Sequence, residues 1–312
     1  MSPKLSHLAL AVLLIGVAAA RGQQAVSSIT QSRLFANPSA PGTVSVDANG
    51  AALPADESSG SDDDSFGAQI ILKNQERPRN FGVFSDVSVI YTNNVDLIPQ
   101  GERSDSFLSA KVGAAWRPIL SRELIGEISV GGSVLRHDRA VELDFETIGA
   151  GAGLSWLVPR TPGIILFGRY DFMELLDSAS HELLQDHEFT FGAQKIFVFG
   201  RSHFLTTGVT GVVGLSTPRS QQRDQAAIQA AYHLQITRFF DADLLYRYAA
   251  QFYNEGDRLD HNQTLSLALG LVANRWLRLA ASISAARNDS NQSAFKYDAL
   301  NLGGGVRIDI SF

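Results

Sequence analysis

From Phe81 to Phe312 the chain returns again and again to alternation of apolar with small or polar residues, the period of a strand with two unlike faces. Between Phe107 and Trp116, Leu108, Ala110, Val112, Ala114 and Trp116 share one face, while Ser109, Lys111, Gly113 and Ala115 share the other. The stretch 147–158 sets Ile148, Ala150, Ala152, Leu154 and Trp156 against Gly149, Gly151, Gly153 and Ser155. The last segment sets Leu302, Val306, Ile308, Ile310 and Phe312 against Asn301, Arg307, Asp309 and Ser311. Twelve such segments are predicted, near 81–92, 106–117, 123–135, 145–158, 163–174, 187–198, 202–215, 224–236, 239–252, 263–273, 276–287 and 297–312.

The connections between them alternate. Long ones are expected near 93–105, 136–144, 175–186, 216–223, 253–262 and 288–296, and short ones at 117–123, 158–163, 199–202, 237–241 and 273–276. An even number of strands with alternately short and long connections predicts an all-β fold, a transmembrane up-and-down antiparallel barrel. In that layout the short turns and both termini are periplasmic and the chain resides in the outer membrane of a Gram-negative cell. The second face argues the same way. Three alternate glycines, Gly149, Gly151 and Gly153, would weaken a strand facing water but suit a crowded barrel wall.

The first 78 residues follow other rules. Leu8–Ala20 is an uncharged apolar run behind Lys4, too short for a spanning helix and fit for a secretory signal over 1–22. Residues 23–78 form a low-complexity arm with three basic and seven acidic residues. Its run DESSGSDDD at 56–64 repels itself, lacks the spaced ligands of a calcium loop, and reads as a solvated tail. Phe66–Leu72 is its one apolar island, expected to form a short strand or helix against the barrel, which spans 79–312.

Composition narrows the function. Of 312 residues only 19% are charged, the formal net charge is −6, and there is no cysteine. That excludes a disulfide scaffold, a thiolate metal site and a cysteine nucleophile, and the acidity argues against nucleic acid as a partner. No phosphate loop, dinucleotide fingerprint or zinc-protease motif occurs, so no cofactor, no metal and no catalytic residue are assigned, and the chain reads as no enzyme. His181 and His187, with Glu182 and Asp186, fall in one predicted loop, where a solvated loop outweighs a metal site. His233 lies on an inward face without a serine partner, which makes a membrane-embedded hydrolase the least favoured reading.

The inward face supplies the candidate lumen: Lys111, Glu127, Arg169, Asp171, His233, Asp243, Arg247, Arg278, Arg307 and Asp309, with Asp86 and Asp241 beside them. Five cations face six anions, a near balance that argues against strong ion selectivity. Lys195 is expected on the lipid face, snorkelling near an end or marking a bulge. Trp116, Trp156 and Trp276 fall at the short-turn side, and Tyr91, Tyr170, Tyr246, Tyr248, Tyr253 and Tyr297 toward the other, as two interfacial girdles. Phe312 ends an alternating apolar strand and resembles the assembly signal that barrel-assembly machinery reads.

The stretch Ser88–Asn94 (SVIYTNN), followed by Ser104-Asp-Ser-Phe and an alternating strand, resembles the first hairpin of the putative β-barrel porin family of bacterial outer-membrane proteins. Asn93-Asn94 stands where that family commonly has Asp-Asn. The resemblance covers 79–312 and implies location, fold and a channel role. Some relatives accompany exopolysaccharide export, which implies a small solute or a polysaccharide as cargo. The leading expectation is a passive channel for small hydrophilic solutes or an export conduit. The alternative is a non-conducting barrel whose outer loops bind a partner. An autotransporter domain also has twelve strands, but residues 23–78 are too short and polar for a secreted passenger.

Overall fold

A computed structural model describes residues 80–161, 163–200 and 202–312. The signal sequence, the acidic arm and the apolar island at 66–72 lie outside the described residues. The strands are β1 (Phe81–Thr92), β2 (Asp105–Trp116), β3 (Leu124–His137), β4 (Phe145–Leu157), β5 (Ile164–Asp177), β6 (Glu182–Val198), β7 (His203–Thr217), β8 (Arg223–Gln235), β9 (Phe240–Tyr253), β10 (Leu259–Asn274), β11 (Leu277–Ser290) and β12 (Tyr297–Ser311). Each pairs antiparallel with its sequence neighbours, and β1 pairs with β12 from Gly82↔Ser311 to Thr92↔Asn301, closing the barrel. The amide of Phe312 donates to the carbonyl of Phe81 at 2.8 Å, so the last residue is part of the seam.

The alternation read from the sequence sorts the two faces. Val89, Val112, Val130 and Ile148 are each more than half exposed, whereas the residues flanking them point inward. A continuous belt of exposed Leu, Val, Ile and Phe around a closed sheet is untenable in water and is the surface a bilayer covers. Each large aliphatic side chain so covered contributes roughly 1.5–3 kcal/mol. Trp116, Trp156 and Trp276 are exposed on this face near the turn end, and Tyr91, Tyr170, Tyr246 and Tyr248 point outward toward the loop end. Three outward tyrosines bond to histidines on adjacent strands: Tyr170 to His187 and Tyr248 to His261, both 2.7 Å, and Tyr232 to His203, 2.9 Å. Each pair satisfies two polar groups where the surface meets lipid.

Four expectations need correction. Tyr253 and Tyr297 do not join the girdle: both face the interior, where the phenol of Tyr297 accepts from the Asn262 amide at 3.1 Å. The long connections are shorter than expected, at 93–104, 138–144, 178–181, 218–222, 254–258 and 291–296, because hairpin pairing continues past the apolar belt. The four residues expected in one loop near 181–187 do not share it: Glu182, Asp186 and His187 lie on β6. His181 bonds to Asp177 and His187 to Tyr170 on the outer face, while Asp186, one position away on β6, turns inward to Ser216. Lys195 lies on the outer face near the turn end, its Nζ 4.9 Å from the Phe197 ring, and the two register irregularities lie elsewhere, at Leu175/Leu176 and Val272/Asn274.

The fourth correction concerns the interior. It is not polar throughout. At the loop end of β1–β6, inward Ile90, Phe107, Leu135, Phe145, Met173, Leu175 and Leu184 form a buried apolar cluster. Above it Val95, Ala140 and Leu143 join the first two loops. Asp105 accepts backbone amides of Ser106, Arg139 and Ala140. Arg103 bridges Asp96 at 2.6 Å and Glu142 at 2.7 Å, and those hydrogen bonds raise its pKa above the ordinary arginine value. Asn93 pairs with the backbone of Leu300, and the buried Asn94 side chain donates to the carbonyls of Ile98 and Asp298. These two asparagines therefore pin the first loop onto β12.

Val130 is mid-strand on the lipid face. Val130→Arg is expected to destabilise the barrel by about 2–4 kcal/mol, measured by urea titration in lipid vesicles.

Candidate lumen and its transverse ion pairs

The inner wall is built by strands whose inward positions alternate large charged residues with residues too small to obstruct them. All ten predicted lumen residues fall on inward positions. The structure gathers nine of them into three groups near the turn half and leaves Arg247 apart from these.

In the first, Arg169 of β5 reaches across the whole width of β4 to Glu127 of β3. It also holds Asp171 at 2.7 Å and donates to Ser129 Oγ at 2.7 Å, while Arg117 closes on the other Glu127 oxygen at 2.7 Å. The crossing is allowed only because β4 has no side chain in the way. A Cβ at Gly151 would collide with the Arg169 guanidinium and the Asp171 carboxylate, and one at Gly153 would press on Arg169 Cβ and Cγ at 3.3 Å. The glycine row seen in the sequence thus serves as a trough for an arginine.

The second group repeats the device. Arg278 of β11 crosses β10 at Gly270 to reach Asp241 of β9, with Asp243 at 3.6 Å. A Cβ at Gly270 would meet Arg278 and Asp241. His233 of β8 bonds through Nδ1 to Asp243 at 2.7 Å, and its ring stacks on Phe204 at 4.8 Å. His233, Asp241 and Asp243 are the cluster with metal-ligand spacing among the described residues, their ligand atoms within 4.8 Å of one another. Arg278 lies within ion-pair reach of both carboxylates, so the geometry is that of an internal salt-bridge network. Sequence reasoning had His233 and Asp243 on one wall. It missed their pairing because the β8–β9 register, His233↔Asp243, is a tertiary fact.

In the third group Lys111 and Arg307 lie over the Phe84 ring, at 5.3 and 5.7 Å, and Arg307 binds Asp309. Phe84 in turn lies over Gly113, where a Cβ would stand 2.6 Å from the ring. Arg247 is inward and 9% exposed, on the wall shared with the small residues Thr264, Ser266 and Ala249.

Near the loop end, Arg258 was missed by the sequence reading because it falls in a connection. Its guanidinium stacks on Tyr253 at 4.1 Å and Phe295 at 3.5 Å and binds Asp260, which also accepts from Asn288. The inner surface is therefore two-sided: an apolar shelf on β1–β6 faces a wall of Ser, Thr, Asn, Ala and paired charges on β8–β12.

No protein-family model matches this sequence, and no curated protein is similar to it at a significant level. Solved structures are similar in fold. An outer-membrane channel from Pseudomonas putida F1 aligns with a TM-score of 0.55 at 7% identity, over 75% of this chain and 97% of that one. The β domain of the Bordetella autotransporter BrkA aligns at 0.48 and 8% identity, over 75% and 100%. An anion-selective porin from Comamonas acidovorans aligns at 0.39 and 10% identity, over 74% and 98%. The first likeness, with the apolar belt and the closed seam, shows an outer-membrane β-barrel fold.

The glycine troughs are testable. Gly270→Val is expected to cost about 1–3 kcal/mol by displacing Arg278. Gly168→Ala, whose Cβ would meet nothing within 4 Å, is expected to stay within about 0.5 kcal/mol. Equilibrium unfolding in vesicles compares the two.

Proposed function

We propose that this protein is a passive outer-membrane channel for small hydrophilic solutes, with the short turns and both chain ends in the periplasm. The observation that carries the reading is the inner wall of β8–β12, rich in Ser, Thr, Asn and Ala, with Arg278 and His233 paired to Asp241 and Asp243. The near balance of cations and anions on the inward face gives a lumen without a strong field of either sign, which suits modest selectivity. An export conduit for a polysaccharide would use the same hydroxyl- and amide-rich wall. The lipid of the outer membrane and the assembly machinery acting on the Phe312 strand are the partners this reading requires.

A second reading has its own support. The apolar shelf on β1–β6 and the braced first two loops narrow the loop end on one side and stiffen its rim. A barrel with that architecture serves equally to present a rigid loop surface to a partner.

Planar-bilayer recording of the refolded full chain separates the two. Steady single-channel conductance is expected. Asp241→Asn with Asp243→Asn, which leaves Arg278 unneutralised, is expected to shift the reversal potential in a KCl gradient toward anion preference. A silent but folded barrel would favour the surface-binding reading, and an unchanged potential would place this cluster off the ion path.

A further inference from the structure

Charge is segregated between the two ends of the barrel. The described turns at 117–123, 158–161 with 163, 199–200 with 202, 236–239 and 275–276 carry Arg117, Arg122, Arg160, Arg238 and Arg275 against one acid, Glu123. The opposite loops carry Asp96, Glu102, Asp138, Glu142, Asp144, Glu255 and Asp257 against five bases. The whole chain is acidic, at −6, so this basic rim runs against its composition.

We propose that the arginines of the turn end form a ring that binds the phosphate headgroups of anionic glycerophospholipids in the leaflet it faces. Arg122, Arg160, Arg238 and Arg275 are all exposed, and none makes an ion pair among the described residues. The lumen arginines Arg169, Arg278 and Arg307, by contrast, are each neutralised by a carboxylate. An unpaired guanidinium at an interface presents its donor fork to a phosphate, which it can bind bidentately.

The depth is right for headgroups. The guanidinium of Arg238 lies 4.5 Å from the Phe239 ring, Arg275 adjoins the exposed Trp276, and Arg122 follows the exposed Ile119 and Leu120 on one turn. Lys195, on the outer face just below the third turn, adds a cation over Phe197. Aromatic and aliphatic side chains at the edge of the belt fix these cations at the membrane–water boundary. The spread also matters. Cations on four separate turns encircle the barrel, which suits a two-dimensional partner rather than a docked protein that would meet one sector. Proximity to an anionic surface then gives a summed, salt-screened attraction.

The test uses the refolded full chain in vesicles containing spin-labelled phosphatidylglycerol or phosphatidylcholine. The fraction of motionally restricted lipid reads the relative association. We expect phosphatidylglycerol to be preferred about threefold at low salt, falling toward equality near roughly 1 M salt. The combined Arg122→Gln, Arg160→Gln, Arg238→Gln and Arg275→Gln variant should lose the preference, and the corresponding four lysine substitutions should keep it. Heat-modifiable gel mobility establishes that both variants fold, as expected for substitutions at exposed turn positions. Equal association of the two lipids with the natural chain, or a preference that survives the four glutamines, overturns the proposal.

Discussion

The constraint on which the rest depends is that no backbone N–H or C=O can face hydrocarbon unpaired. A sheet meets it only by closing, and here closure is the β1–β12 seam, in register from Gly82↔Ser311 to Thr92↔Asn301 and extended to the last residue by the Phe312 amide. Once the sheet is closed, side-chain orientation is forced: every strand must send one set of residues to lipid and the other inward. The outer set is free to be uniformly apolar. The inner set must fill, or leave open, a space whose width the strand number fixes. Both the apolar belt and the polar wall follow from that single closure.

Inside, the governing quantity is the room above each strand. An arginine on β5 or β11 can neutralise a carboxylate two strands away only if the strand between carries hydrogen in place of a side chain, which Gly151, Gly153 and Gly270 supply. Glycine normally weakens a strand. In this wall the loss is offset by a charge-assisted contact that ties three strands into one unit. Phe84 over Gly113 uses the same geometry with an aromatic ring as the bridging group. These paired charges lie flat along the wall in the turn half of the barrel.

The two ends differ in kind. The loop end is braced by apolar packing, by carboxylates capping backbone amides, and by Asn93 and Asn94 locking the first loop to β12. The turn end is minimal, an arginine beside an aromatic or aliphatic residue on turns of only a few residues. Such an arrangement makes one rim rigid and the other electrostatically open to its leaflet.

Strand number, barrel closure and the in-or-out direction of all ten candidate lumen residues were legible in the sequence, because a period of two is a local property carried by each segment alone. The outward tryptophans were legible for the same reason. Loop lengths were not: pairing beyond the belt depends on whether two tips, such as those carrying Arg136 and Glu146, can keep meeting. Tyr253 and Tyr297 were misread for a related reason, since composition places an aromatic near an interface but only the strand's phase decides its face. The apolar cluster of Phe107, Phe145 and Leu175 was invisible because its members come from different strands and converge only through the tilt and register of the closed sheet. The pairing of His233 with Asp243, and of Arg278 with Asp241 across Gly270, likewise needed the register. Sequence determined the alternation that points most residues inward or outward. The closed sheet decided which residues meet, because contact across a barrel is set by the offset between strands, a quantity that no single strand contains.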